Sequence, residues 1–287
     1  MLWNQPTNYA IDFAAQSDIE ADNSTMLFGG NLGVSYALPA DSALSNGWFN
    51  HKPVIAVEFG YYNGSSDASY RAVGNNANTL LGVTGIVGTF WSNGTWYAEN
   101  DFDLADLSLT LTGAANKTSG TWSFMPEIGI TGRYFEQDYD LDGDFDATTR
   151  RNVFDGELDS KMLGAQFGLN IKSPDYSGWS FALKPSAKLM VANTDMSVMQ
   201  DKDGNVTGLV DRRTANDSDT SVVYEGLLEF EVEKKIDNVS IGLNVYGTAT
   251  SGMAYIDMPE FAGDAAKINH SGMSYTAGAR IGVSVAF

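Results

Sequence analysis

The chain has 287 residues, with 17 Lys and Arg against 36 Asp and Glu for a formal net charge of −19, no Cys and two His. Aromatics reach 12% while only 18% of residues are charged, against roughly 25% in an average soluble domain. Disorder, disulfide scaffolds and thiolate chemistry are excluded, and the acid excess excludes nucleic acid as a partner, since phosphate binding needs clustered Lys and Arg.

Residues 1–22 have neither a basic n-region nor an unbroken apolar core, so they do not read as a signal peptide. Alternation of apolar and polar residues, the period-2 mark of a strand, then recurs along the chain. Tyr9, Ile11 and Phe13 form a short candidate strand, and weaker alternation covers 24–38, 53–62, 79–91 and 95–112. The last of these slips phase near Ala105, which suggests a bulge. No segment reaches the 18 or more apolar residues of a spanning helix; the nearest, Thr79 to Trp91, is interrupted by Gly and Thr.

Stronger patterns follow. Trp122, Phe124, Ile128, Ile130 and Tyr134 oppose Ser123, Glu127, Thr131 and Arg133. Over 163–171, Leu163, Ala165, Phe167, Leu169 and Ile171 oppose Gly164, Gln166, Gly168 and Asn170. Over 179–191, Trp179, Phe181, Leu183, Leu189 and Val191 oppose Ser180, Lys184, Ser186 and Lys188. The 222–232 segment sets Val222, Tyr224, Leu228, Phe230 and Val232 against Glu225, Glu229 and Glu231, and 239–249 sets Val239, Ile241, Leu243 and Val245 against Ser240, Gly242 and Asn244. The final segment alternates without a slip from Ser271 to Phe287, longer than the usual 3–10 residues of a soluble strand. The count is about ten strands, with twelve the alternative.

Connections alternate in length. Those at 113–119, 173–177 and 235–237 are short, whereas 137–160, 193–219 and 256–270 are long and rich in Asp, Asn and Gly. Two places fit less well: Ser92-Asn93-Gly94 is a tight hairpin signal on the long-loop side, and 63–78 is long on the short-turn side. Aromatics gather towards strand ends. Trp122, Phe124, Trp179, Phe181, Phe59, Tyr61, Phe28 and Phe287 are expected near the short turns, and Tyr36, Trp91, Trp96, Tyr134, Tyr224 and Tyr275 near the long loops. Two aromatic rings around an apolar band match the girdles of a membrane barrel. The competing architecture, a soluble sandwich or β-solenoid, would not need so long a final strand, and a sandwich would put its large aromatics mid-strand.

The C-terminus, Arg280-Ile281-Gly282-Val283-Ser284-Val285-Ala286-Phe287, resembles the terminal strand signal of bacterial outer-membrane β-barrels. That resemblance implies a transmembrane up-and-down antiparallel β-barrel over 24–287, with short periplasmic turns and long extracellular loops, located in the outer membrane. Residues 1–23 would be a periplasmic tail, a plug or an extra strand. The resemblance also implies that Arg280, Gly282, Val285 and Phe287 are read by the barrel-assembly machinery, and that outer-membrane lipid surrounds the barrel.

On this reading the polar face is the lumen, holding Glu58, Glu127, Arg133, Lys172, Lys184, Lys188, Glu225, Glu229, Glu231 and Arg280. Lys184 and Lys188 are expected to pair across strands with the Glu225, Glu229 and Glu231 face. These charges either neutralise one another and fill a narrow interior or form a selectivity constriction. Asp138, Asp140, Asp142, Asp144 and Asp146, with Gly143 among them, resemble the first half of a calcium loop, although the twelfth position is Thr149 rather than Glu. Ca²⁺ is therefore the one expected cofactor; the other reading is a solvated acidic loop. Asp201 to Asn205 is a weaker echo that reads as an Asp-Gly turn. His51 and His270 fall in expected long-side loops without a catalytic partner pattern, so no enzyme is expected. Two functions remain: porin-like passage of small, cationic solutes, or a non-conducting structural or adhesive surface barrel whose Ca²⁺-stiffened acidic loops meet extracellular partners or a second copy.

Overall fold

The computed structural model describes residues 2–4, 11–13, 24–39, 53–72, 77–81, 87–91, 94–113, 122–145, 151–203, 212–257 and 265–285. The chain is all-β. Nine long strands, β4 (Phe28–Ala37), β5 (Val54–Ala72), β8 (Gly94–Thr112), β9 (Ser123–Phe145), β10 (Arg151–Lys172), β11 (Trp179–Asp203), β12 (Arg212–Ile236), β13 (Val239–Ser251) and β16 (Met273–Val285), form one curled antiparallel sheet in that order. The curl makes a half-barrel of up-and-down topology. Two short strands, β1 (Leu2–Asn4) and β3 (Ser24–Met26), extend the sheet beyond β16. Connections at 113–122, 173–178 and 237–238 leave one end, here the turn end; 146–150, 204–211 and 252–272 leave the far end.

The strands outrun the sequence expectation. β9, β11 and β12 have 23, 25 and 25 residues. Their far ends occupy most of the stretches expected as loops at 137–160 and 193–219: Asp144 pairs with Arg151, and Asp201 with Arg212. The reason is an inversion of polarity that leaves the facing of each strand unchanged. On β8 the odd positions from Tyr97 onward point outward; towards the turn end these are Leu107, Leu109 and Leu111, but towards the far end Asp103, Asp101 and Glu99. Even positions point inward, with Ser108, Thr110 and Thr112 replaced by Leu104 and Phe102. The phase slip near Ala105 is this inversion, and the ladder runs through it without a bulge, Ala105 opposite both Tyr61 and Tyr134. A sheet face meeting an apolar medium needs apolar side chains outside; the same face in water needs them inside.

Residues 79–91 do not belong to the main sheet. β6 (Ala77–Leu81) and β7 (Val87–Trp91) form a hairpin that pairs with β2 (Ile11–Phe13) in a separate three-stranded sheet. β5 pairs directly with β8, and 63–72 continues β5 rather than forming a connection. With 79–91 outside the main sheet, the strands before it run in the opposite sense to the one expected from the sequence. Phe28 and Tyr61 therefore lie towards the far end, opposite Asn63 and Ala105, whereas Tyr36 lies at the turn end opposite Ile55. The β4–β5 connection, which carries His51, also leaves the turn end; His51, Ser92, Asn93, Gly204 and Asn205 lie outside the described residues. Trp122, Phe124, Trp179 and Phe181 at the turn end, and Tyr134, Tyr224 and Tyr275 further up, stand where the alternation put them.

Candidate functional site: a charge-locked interior beneath an apolar cap

The inward positions of the turn-end half carry the expected lumen charges, and the register brings them together. Lys184 lies opposite Glu229 and Lys188 opposite Glu225, so each pair meets directly across β11 and β12 at 2.9 Å. From β9, Arg133 reaches Glu225 at 2.6 Å and forks onto both oxygens of Asp106, at 2.7 and 3.2 Å. Thr250 donates to the same Glu225 oxygen at 3.2 Å. Nearer the turn end, Lys184 also bridges to Glu231 at 2.6 Å, and Arg280 of β16 reaches Glu229 at 2.7 Å and Glu58 at 3.5 Å. Arg280 lies over the Tyr246 ring, 4.8 Å from its centroid. Glu127 accepts from Gln166 at 2.8 Å and Thr112 at 3.3 Å, and Lys172 pairs with Glu233 at 2.7 Å. The ten charged residues expected on the polar face thus point into one interior.

Gln166, from the polar face of 163–171, belongs to the same network, and so do Asp106, Glu233, Thr250 and Asn31, which the sequence pattern does not single out. Asp106 sits where β8 inverts its polarity, so no clean alternation marked it as inward. Asn31 donates to Glu58 at 2.6 Å and accepts from the Tyr62 hydroxyl. Between these side chains lies a cavity of about 290 Å³, bordered by Glu58, Asp106, Glu127, Arg133, Lys188 and Arg280 among others. Charges this close are held by their partners: a buried ion stripped of its partner costs several kcal/mol.

Above the network the interior turns apolar. Phe102, Leu104, Phe135, Leu141, Phe154, Leu158, Met162, Met190, Met196, Val198 and Val223 are buried in one cluster, with Phe102 and Phe135 stacked at 6.2 Å. The 252–272 connection completes it. Gly252, at φ 84°, turns the chain where an added Cβ would lie 2.4 Å from the Val222 carbonyl oxygen. β14 (Tyr255–Asp257) and β15 (Lys267–Asn269) then pair, burying Met253, Ala254, Ile256, Ala266 and Ile268 in the cluster. Gly156 leaves room for this hairpin, since a Cβ there would sit 3.0 Å from Ile256 Cδ1. Polar latches hold it: the Ile268 N–H donates to Asp217 at 2.9 Å, and the His270 ring stands 3.0 Å from Asp219 and 3.2 Å from the Gly252 carbonyl.

The acidic segment is strand, not loop. Asp138, Asp140 and Asp142 stand at alternate positions of β9, between the inward Gln137, Tyr139 and Leu141. Along a strand such positions are about 6.7 Å apart, too far for a single ion with oxygens at about 2.4 Å to be wrapped as in a calcium loop. Asp144 continues β9, with its side chain outside the description, and Asp146 lies outside the described residues, as does Phe287 of the terminal signal. What the register builds instead is three rows of directly opposed carboxylates on the outer face. They are Glu99–Asp140–Asp155, Asp101–Asp138–Glu157 and Asp103–Glu136–Asp159. Glu136, Glu157 and Asp159 bring carboxylate oxygens within 4.8 Å of one another. Loss of hydration, then a hydrogen bond with Asp155, pushes the Asp140 carboxyl up to about 6, and Asp138 is raised by loss of hydration and by Glu136 and Glu157.

No family model, no curated protein and no solved structure matches the chain.

Proposed function

We propose that this chain is an integral outer-membrane β-barrel that does not conduct, and that it presents a rigid acidic outer face beyond the lipid to cations and basic partners. The outward apolar runs, Leu163 to Ile171 on β10 and Val222 to Val232 on β12, match the 9–11 residues that a tilted strand needs to cross a bilayer. The carrying observation for closure is the apolar cluster with its inserted hairpin, which fills the far half of the interior above a charge-paired lower half. An ion entering from outside would have to leave water for packed Phe, Leu and Met, at a cost of several kcal/mol.

A second reading, passage of small cations, is favoured by the interior charge: seven carboxylates (Glu58, Asp106, Glu127, Glu225, Glu229, Glu231, Glu233) face five cations (Arg133, Lys172, Lys184, Lys188, Arg280). Planar-bilayer recording decides between the two. Protein whose insertion is verified by heat-dependent migration on SDS gels is expected to stay silent. Steady ohmic steps, with a reversal potential that shifts on Glu225→Gln, would overturn closure and favour the cation pathway.

A further inference from the structure

The 252–272 connection leaves β13 and returns to β16, and one side chain ties its two ends together. Gly252, where the connection departs, offers its carbonyl oxygen to His270 Nδ1 at 3.2 Å, and His270 stands just before the sheet resumes at Met273. The other ring nitrogen, Nε2, lies 3.0 Å from Asp219 Oδ2 on β12. One ring thus joins the start of the connection, its end and a neighbouring strand. It does so at the base of the hairpin whose Met253, Ala254, Ile256, Ala266 and Ile268 are buried in the apolar cluster.

Both partners of the ring are acceptors. The Gly252 carbonyl has no proton to give and already takes the Ser221 hydroxyl at 3.4 Å. The Asp219 carboxylate is held as an acceptor too, taking the Thr220 N–H on its other oxygen at 2.7 Å. A neutral imidazole has one N–H and one lone pair, so it satisfies one of these contacts and sets a lone pair against the other. Only the imidazolium donates from both nitrogens.

The surroundings suit the charged ring. Among the described residues, the ionisable groups at the hairpin base are Asp217 and Asp219 on β12, Tyr255 and Asp257 on β14, and Lys267 on β15. Asp217 accepts from the N–H groups of Ile268 and Ser218, both at 2.9 Å, and Asp257 takes the Asn269 amide at 3.0 Å and Lys267 at 3.8 Å. Tyr255 donates to the Ser271 carbonyl at 3.1 Å. His270 is the imidazole among these fastenings, and histidine is the side chain whose charge ordinarily changes between about pH 5 and 8.

We propose that His270 is a proton-dependent latch on the apolar cap. Protonated, it fastens the connection both to its own start and to β12; deprotonated, it releases one of the two, and the hairpin opens more often. The capped state holds the extra proton, so capping is strongest on the acid side and weakens as pH rises. The buried side chains seat the hairpin in both states, so the change is in local opening and not in the fold of the barrel. As a regulator of closure, the latch rests on the non-conducting reading above.

Hydrogen exchange of the full chain in micelles, with protection corrected for the intrinsic pH dependence of amide exchange, tests the latch at about pH 5.5 and about pH 8. The ion pair is partly exposed, 20% on the ring and 53% on the carboxylate, which limits the effect. Amides of 253–257 and 266–269 are expected to lose about twofold to fivefold in protection at the higher pH, the range of such a pair, while those of β11 between Met190 and Val198 hold theirs. His270→Gln should abolish the difference. Asp219→Asn, which keeps the ring and removes the charge beside it, should reduce the difference, and it carries the comparison alone if the His270 variant does not fold. Equal protection at the two pH values in the unsubstituted protein would overturn the latch. So would greater protection at the higher pH, or a difference that survives His270→Gln. Ohmic steps in planar bilayers bear on closure and leave the exchange result standing, so the two readings fail separately.

Discussion

Two regions of the same strands use charge in opposite ways. Within β9, Arg133 points inward and is locked between Asp106 and Glu225, while Asp138, five residues on, points outward into a row with Asp101 and Glu157. Inside, every cation has a carboxylate within 4 Å among the described residues, because a buried charge without one is expensive. Outside, like charges stand directly opposite one another, because water and salt screen an exposed carboxylate. Dielectric surroundings, more than charge count, decide what a strand tolerates, and the sign of a charge-removing substitution should differ between the two regions.

The largest effect is expected inside. Glu225→Gln leaves Lys188 and one side of Arg133 uncompensated in a buried site, and should destabilise the folded barrel by about 3–5 kcal/mol in denaturant unfolding from micelles. A loss below about 1 kcal/mol, the range of an exposed ion pair, would mean that the interior is wet and the contrast false.

The apolar cap gives the next effect. Phe135→Ala removes a fully buried ring stacked on Phe102 and should cost about 3 kcal/mol, with increased protease cleavage in the 252–272 connection as the cluster loosens. Leu109→Ala, on the outward band of a neighbouring strand, deletes a half-exposed side chain and should cost well under half as much. Equal costs would show that the two halves of the sheet do not face their surroundings as described.

How far the sequence could be read depends on the same inversion. Where a strand holds one polarity throughout, as in 239–249 and 271–285, alternation yields facing, register and inward residues together, and Lys184 and Lys188 meet the glutamates it pointed to. Where polarity inverts mid-strand, period-2 reading stops early. The acidic outer face of β9 and β10 then looks like loop, and Asp106 and the inward Phe102 and Leu104 pass unnoticed. The hairpin at 77–91 differs for another reason: a short strand pair in a separate sheet has the same local alternation as a barrel strand, and only long-range pairing, Val54–Ala72 onto Gly94–Thr112, tells them apart.

The smallest effect, of opposite sign, belongs to the outer rows. Asp140 holds its proton up to about 6 in the folded barrel, against about 3.9 in an unfolded chain. Between those values the folded state binds more protons, so this group stabilises folding below about pH 4, and that contribution is lost as pH rises through 6. Asp140→Asn removes the opposed charges in the Glu99–Asp140–Asp155 row. It is expected to raise the melting temperature at neutral pH by about 2 °C and to flatten the difference in melting between pH 4.5 and 7.5 relative to the unsubstituted protein. Millimolar Ca²⁺ at neutral pH should raise melting beyond sodium chloride of equal ionic strength, because a divalent ion bridges opposed rows that a monovalent ion only screens. That increment should shrink in Asp140→Asn. If calcium and sodium act alike, the rows are separately hydrated carboxylates, and the outer face offers partners a diffuse negative field instead of a set of bridging sites.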